Sequence, residues 1–119
     1  MHEFSICQSL IESILSELDK VEHDEIKRLL KVRIAVGELR QIVPAYLKEA
    51  YSILAKDTAA DGAEMEIRSL PVRGKCKTCG WEGNMPDFNF CCKKCGSENA
   101  EIVGGRELYI ENLEVETES

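Results

Sequence analysis

The 119 residues hold 22 acids against 15 Lys or Arg, a formal net charge of −7, with 44% of residues apolar and 31% charged. That acidity excludes the broad basic face of a phosphate-backbone binder, and the apolar share excludes a disordered chain. The length admits one domain, or a small core with an inserted module. No apolar run approaches the length that spans a bilayer. The first apolar stretch is broken by Glu12 and Glu17 and has neither a basic leader nor a cleavage site, so a cytoplasmic protein with reduced thiols is expected.

Residues 4–19 place Cys7, Leu10, Ile11, Ile14, Leu15 and Leu18 at helical spacing, opposite Glu12, Ser13, Ser16 and Glu17. This predicts an amphipathic helix with Cys7 in the core. Residues 20–27 read as a polar connection, with His23 solvated. Leu30, Val32, Ile34 and Val36 then alternate with Lys31, Arg33 and Ala35, the pattern of a strand with one covered face, ended by Gly37. Pro44 opens a second helix that turns Leu47, Ala50, Tyr51 and Leu54 inward and stops before Asp61-Gly62. Met65 and Ile67 alternate with Glu64, Glu66 and Arg68 in a second strand. Glu64 and Glu66 read there as solvent-facing residues rather than a catalytic pair. Near the end, Leu108 and Ile110 alternate with Glu107, Tyr109 and Glu111, while Leu113 and Val115 continue out of phase, which predicts a bulge near Asn112.

Between the last two strands stand two Cys-x-x-Cys-Gly knuckles, Cys76-Lys77-Thr78-Cys79-Gly80 and Cys92-Lys93-Lys94-Cys95-Gly96. The turn in each aims backbone N–H groups at a sulfur, and the glycine accepts the positive φ that closes it. Cys76, Cys79, Cys92 and Cys95 therefore describe a closed tetrahedral sulfur site suited to zinc or, less often, iron. Cys91 could stand in for Cys92, but regular spacing favours Cys92 and leaves Cys91 a spare thiol. Trp81 with Phe88 or Phe90 is expected to form a miniature core rather than a base-stacking platform. From Arg73 to Ser97 there are five bases against two acids, a local excess of +3 that four thiolates and a divalent ion reduce to about +1.

The expected fold is therefore α+β: a small three-stranded sheet with two helices, plus an inserted zinc-ribbon-like module of four cysteines. Residues 1–72 and 104–119 would form one domain and residues 73–103 the other, joined through Pro71 and Gly104-Gly105. A closed metal site has no open coordination position, so any exchange chemistry must lie elsewhere. Neither a nucleophile–base constellation nor a phosphate loop is present, and an enzyme is not expected.

The chain start, Met1-His2-Glu3, supports two readings. The common one is a polar helix start, with Glu3 favoured by the helix dipole. The other is a chelate. The Met1 amine and His2 amide nitrogen close a five-membered ring on a metal, the amide and the His2 Nδ1 a six-membered one, and Glu3 adds an amide nitrogen or its carboxylate. Such nitrogen-rich, nearly planar sets favour nickel(II) or copper(II) over zinc and lose their ion in mild acid.

Taken together, Met1-His2-Glu3-Phe4-Ser5, Val36-Gly37-Glu38-Leu39, Pro44 with Leu47 and Ala50, the paired knuckles, Gly96-Ser97 and Glu107-Leu108-Tyr109-Ile110 resemble the HypA family. These are nickel metallochaperones of NiFe-hydrogenase maturation, and the likeness runs over essentially the whole chain. It implies reversible Ni(II) binding at Met1, His2 and Glu3, and structural Zn(II) at Cys76, Cys79, Cys92 and Cys95. It also implies a HypB-type GTPase as partner, the hydrogenase large-subunit precursor as recipient and, in some organisms, the urease accessory system. A monomer or weak homodimer with no nucleic-acid or membrane partner is expected. Two departures stand out. Lys93 occupies a place where many members have Pro, and Gly80 and Gly96 follow the knuckles where some members carry the His linked to pH-sensitive ligation. The rival reading is a rubredoxin-like electron carrier or a zinc-ribbon binding module, in which the knuckles act and the chain start is incidental.

Overall fold

The structure, a computed structural model, describes residues 2–20 and 26–117, without the side chains of residues 2 and 26. Among these residues it has helix α1 (His2–Asp19), strand β1 (Ile26–Gly37), helix α2 (Pro44–Leu54) and strands β2 (Glu64–Leu70), β3 (Arg73–Cys76), β4 (Glu82–Asn84), β5 (Ala100–Gly104) and β6 (Leu108–Thr117). Two three-stranded sheets result, ordered β2-β1-β6 and β4-β3-β5. The expected α+β arrangement is present, with a second small sheet built around the cysteine module. The chain clusters into two compact units: residues 1–35, 42–68 and 109–119, and residues 36–41 with 69–108.

In the first unit α1 packs on α2. Helix α1 buries Glu3, Cys7, Leu10, Ile11, Ile14 and Leu18, a stripe of helical period, and α2 answers with Leu47, Ala50 and Tyr51. Burial pushes the Cys7 thiol up to about 11 and the Tyr51 phenol to about 12. The Tyr51 hydroxyl donates to the Ala60 carbonyl at 2.6 Å, which fastens the turns after α2. These are packing roles: a buried uncharged thiol is inert.

Strand β1 differs from its sequence reading at its start. It begins at Ile26 rather than near Leu30, because Lys27 and Arg28 both reach Glu116, at 3.6 and 2.7 Å. The phase also differs: Leu29 is buried with Val32 and Ile34, while Leu30, expected on the covered face, is exposed. In β6, Leu108, Ile110, Leu113 and Val115 are all half-buried, so the alternation changes phase between Ile110 and Leu113. Residue His23 lies outside the described residues.

Glu66, half-buried on β2, serves neither catalysis nor bare solvation. Lys31 and Arg33 of β1 hold it at 3.0 and 2.9 Å, and these two cations draw its carboxyl below the usual carboxylate range. A lowered carboxyl contributes stability above its unfolded value and loses it as pH falls through the folded value. The pair is exposed enough to be screened. Glu66→Gln is expected to lower the thermal midpoint slightly at low ionic strength and neutral pH, and to match the parent in molar salt or in acid. Thermal melts of both proteins across salt and pH check this.

In the second unit the segment after β1 is pinned by backbone. The Gly37 amide donates to the Glu107 carbonyl at 2.7 Å and the Leu39 amide to the Gly105 carbonyl at 2.8 Å. The Arg40 Nε adds a bond to the Arg106 carbonyl at 2.7 Å. Strand β3 pairs antiparallel with β4 on one side and β5 on the other. The miniature core differs from expectation: Met85 and Val72 fill it, whereas Phe88 and Phe90 are exposed and meet edge-on, their centroids 6.4 Å apart. Their place is taken by Met85, whose sulfur occupies the space where a Cβ on Gly74 would project, 2.4 Å away. Half-buried Trp81 lies over Gly83 in the same manner.

Candidate metal centres

The two knuckles are built to one plan. The Cys76 amide donates to the Trp81 carbonyl and the Gly80 amide returns to the Cys76 carbonyl, at 2.7 and 3.0 Å. At Cys92 the same bonds go to the Ser97 carbonyl and come from the Gly96 amide, at 2.8 and 2.9 Å. Gly80 and Gly96 have φ of +81° and +76°, while a Cβ on either would meet nothing within 4 Å. Their requirement is conformational alone. The Thr78 and Ser97 hydroxyls, 3.2 Å apart, join the two turns.

This plan brings the Sγ atoms of Cys76, Cys79, Cys92 and Cys95 within 4.8 Å of one another. Cys76 and Cys95 are 3.7 Å apart and Cys79 and Cys92 3.6 Å. These separations are far too long for a disulfide. They fit a tetrahedron with metal–sulfur bonds of about 2.3 Å, whose edges measure about 3.8 Å. Cys91 is not among the clustered thiols; its amide caps onto the Asn89 side chain at 3.2 Å.

Backbone dipoles prepare the site for anions. The Cys79 amide points at the Cys76 sulfur at 3.5 Å and, with the Thr78 amide, lowers that thiol to about 6. At Cys92, burial opposes ionisation, but the Cys95 and Lys94 amides, at 3.4 and 3.3 Å, outweigh it and lower the thiol. Cys95 differs. The Ser97 amide lowers it, yet burial and the three neighbouring sulfurs prevail and hold it up to about 11. Crowded sulfurs thus keep protons that a cation would displace. The donor set is one that can hold a metal ion.

Helix α1 is described from His2 onward, so the His2 amide belongs to the first turn, whose donors have no intrahelical acceptor. Met1 and the His2 side chain lie outside the described residues. Glu3 is buried, and its Oε2 accepts a hydrogen bond from the Val43 amide at 3.2 Å. Beside it a shallow cleft of about 300 Å³ runs between α1 and α2, lined by Glu3, Phe4, Tyr46, Glu49, Ala50 and Ile53. The Glu3–Val43 contact was not legible from the sequence, since nothing in Val43 marks it as a partner forty positions away.

No described helix is long and apolar enough to cross a membrane. A family model described as hydrogenase/urease nickel incorporation, metallochaperone, HypA, matches residues 1–115. The hydrogenase maturation factor HypA of Desulfitobacterium hafniense is 36% identical over 116 residues, which is 98% of this chain and 99% of that one. Its counterpart from Methanocaldococcus jannaschii is 34% identical over 123 residues, covering 99% of both. Among solved structures, the solution structure of the Ni metallochaperone HypA from Helicobacter pylori shares the fold at a TM-score of 0.67, with 24% identity and 98% of each chain covered. The ordered motifs, the sulfur tetrahedron and the whole-length match agree: the chain belongs to the HypA family, metallochaperones rather than enzymes, acting in NiFe-hydrogenase maturation.

Proposed function

We propose that this chain binds Ni(II) reversibly at Met1, His2 and Glu3 and hands it on during hydrogenase maturation. Zn(II) at Cys76, Cys79, Cys92 and Cys95 would hold residues 73–103 in shape, while residues 1–72 and 104–119 form the nickel-binding domain. The observation that carries the reading is a helix described from His2 in a chain whose residues 1–115 match the HypA model. Such a start leaves the His2 amide outside the helical ladder, available to be deprotonated and to bind metal between the Met1 amine and the imidazole. A terminal chelate is shallow, so its ion can leave by exchange with another set of ligands.

Delivery needs a recipient and a source of energy, and this chain has no phosphate loop. A HypB-type GTPase partner and the large-subunit precursor in the cytoplasm fit that gap, with a urease accessory protein as a further recipient. The exposed Phe4, Tyr46 and Ile53 around the cleft beside Glu3 are apolar surface next to the proposed cargo, where a partner contact would shield the ion in transfer.

Calorimetric nickel titration of untagged protein against His2→Ala tests the site. Losing the imidazole and its chelate ring is expected to weaken binding by about a hundredfold or more. Acetylating the chain start should do the same while zinc content stays constant. Equal affinity in all three proteins would remove the chelate.

A further inference from the structure

The four clustered sulfurs are not equally sheltered. Cys76 and Cys92, the first cysteine of each knuckle, are 1% and 3% exposed, whereas Cys79 and Cys95, the second of each, stand open to solvent. Across the knuckles each open sulfur faces a sheltered one, Cys79 to Cys92 at 3.6 Å and Cys95 to Cys76 at 3.7 Å. Within a knuckle the two residues are linked through an amide instead. The Cys79 N–H meets the Cys76 sulfur at 3.5 Å, and the Cys95 N–H meets the Cys92 sulfur at 3.4 Å. The Thr78 and Ser97 hydroxyls, 3.2 Å apart, hold the two turns in this register.

The shell around a metal site controls what reaches it from solvent, and here one edge of the sulfur tetrahedron is open. We propose that Cys79 and Cys95 are a modification site for hydroperoxides, with Cys92 and Cys76 as their resolving partners, so that the module can exchange its metal for two disulfides across the knuckles. This inference rests on the structural-metal reading of the four cysteines and is independent of the chain start. A thiolate is both the form of sulfur that binds metal and the form that attacks a peroxide. The open sulfur attacks one peroxide oxygen: an S–O bond forms, the O–O bond breaks, and the departing alkoxide or hydroxide takes a proton from water. That sulfur, now a sulfenic acid, has lost two electrons and the peroxide has gained them. The sheltered thiolate facing it then attacks the oxidised sulfur, forming an S–S bond and expelling hydroxide, which a second proton turns into water. Closing either pair to a bond of about 2.05 Å takes a movement of roughly 1.6 Å. Sulfurs joined in a disulfide no longer donate as thiolates, so four ligands become two and then none. The new links join residues 13 and 19 positions apart and tie the same two turns that the metal ties. The knuckles therefore stay together while the metal leaves.

Zinc-loaded full-length protein treated with hydrogen peroxide, with and without Cys91→Ser, tests this. A chromophoric chelator should register about one zinc released per chain for about two peroxides consumed. Alkylation and peptide mass mapping should find Cys79–Cys92 and Cys76–Cys95 disulfides, with the chain about four daltons lighter. Buried Cys7 should remain reduced. Excess dithiothreitol with zinc should restore the metal. Cys91→Ser should release zinc within about twofold of the parent rate, since that thiol lies outside the cluster. Amide exchange over residues 73–104 should keep about tenfold more protection in the oxidised, metal-free protein than in reduced protein stripped by chelator.

The proposal is overturned if zinc stays bound under excess peroxide, if the disulfides map within a knuckle or to Cys91, or if the sulfurs gain only oxygen. Abolished release in Cys91→Ser would overturn it as well, by making the spare thiol the point of attack. Protein that carries no zinc before treatment would instead remove the metal reading itself, an outcome that no peroxide result imitates.

Discussion

Stripping the metal from the Cys76, Cys79, Cys92 and Cys95 cluster, by chelator or by Cys92→Ser, is expected to unfold β3, β4 and β5 while α1 and α2 stay folded. The strands of the second unit span only four, three and five residues. Apart from the clustered cysteines, Val72 and Met85 are the buried apolar side chains of residues 69–108. Each contributes about 1.5–3 kcal/mol, against the roughly 10–16 kcal/mol of apparent binding energy typical of structural zinc. Two such side chains cannot replace the ion. Amide hydrogen exchange followed by mass spectrometry should show residues 73–104 losing protection and residues 2–19 and 44–54 retaining it, as zinc falls from one per chain to none. Cys91→Ser should keep both metal and protection, because that thiol stands outside the cluster. Protected strands in metal-free protein would mean that packing alone sustains the module. Acid should act as the chelator does. A metal must displace the proton that Cys95 holds up to about 11, and the Cys76 thiol, at about 6, regains its own as pH falls, so metal affinity drops as the solution is acidified.

The same short elements explain what the sequence left unread. Helical stripes of eleven and eighteen residues repeat their period several times, and α1, α2 and the cysteine plan were legible for that reason. Strands of three to five residues complete too few alternations to signal themselves, and β3, β4 and β5 flank the turns that carry the clustered cysteines. The early start of β1 was hidden by Lys27 and Arg28, which look like loop residues until Glu116 is placed opposite them. Aromatic residues suggested a core at Phe88 and Phe90, but their backbone sets them outward: Asp87 and Phe88 both have positive φ, a turn that carries both rings away from Met85. The proposed nickel ligands were legible only as a pattern of donor types. What the Glu3 carboxylate touches depends on tertiary structure and could not be read from residues 1–3.

Gly37→Ala is expected to be among the most destabilising single substitutions in the chain, although Gly37 sits in a strand conformation that alanine adopts readily. Its φ of −71° and ψ of 142° require no glycine. What requires it is space. A Cβ built there would lie 2.1 Å from the Gly105 carbonyl oxygen and 2.6 Å from the Arg106 amide nitrogen, and both are backbone atoms that no side-chain rotation can move. The contact is tight because two hydrogen bonds draw the segments together, from Gly37 to Glu107 and from Leu39 to Gly105. Nor can Gly105 retreat: its φ is +117°, and Val72 and Leu39 lie within 3.0 and 3.4 Å of where its own Cβ would stand. The methyl group therefore separates residues 36–41 from residues 105–107 and breaks both bonds, an effect on the order of 3 kcal/mol or more. Denaturant melts should show the loss, and hydrogen exchange should place it at the amides of Gly37 and Leu39. Because the cysteine knuckles use none of these atoms, zinc content should remain at one per chain. A variant as stable as the parent would show that the two backbones can part by more than an ångström without consequence, and the close approach at Gly37 would then explain nothing about why glycine stands there.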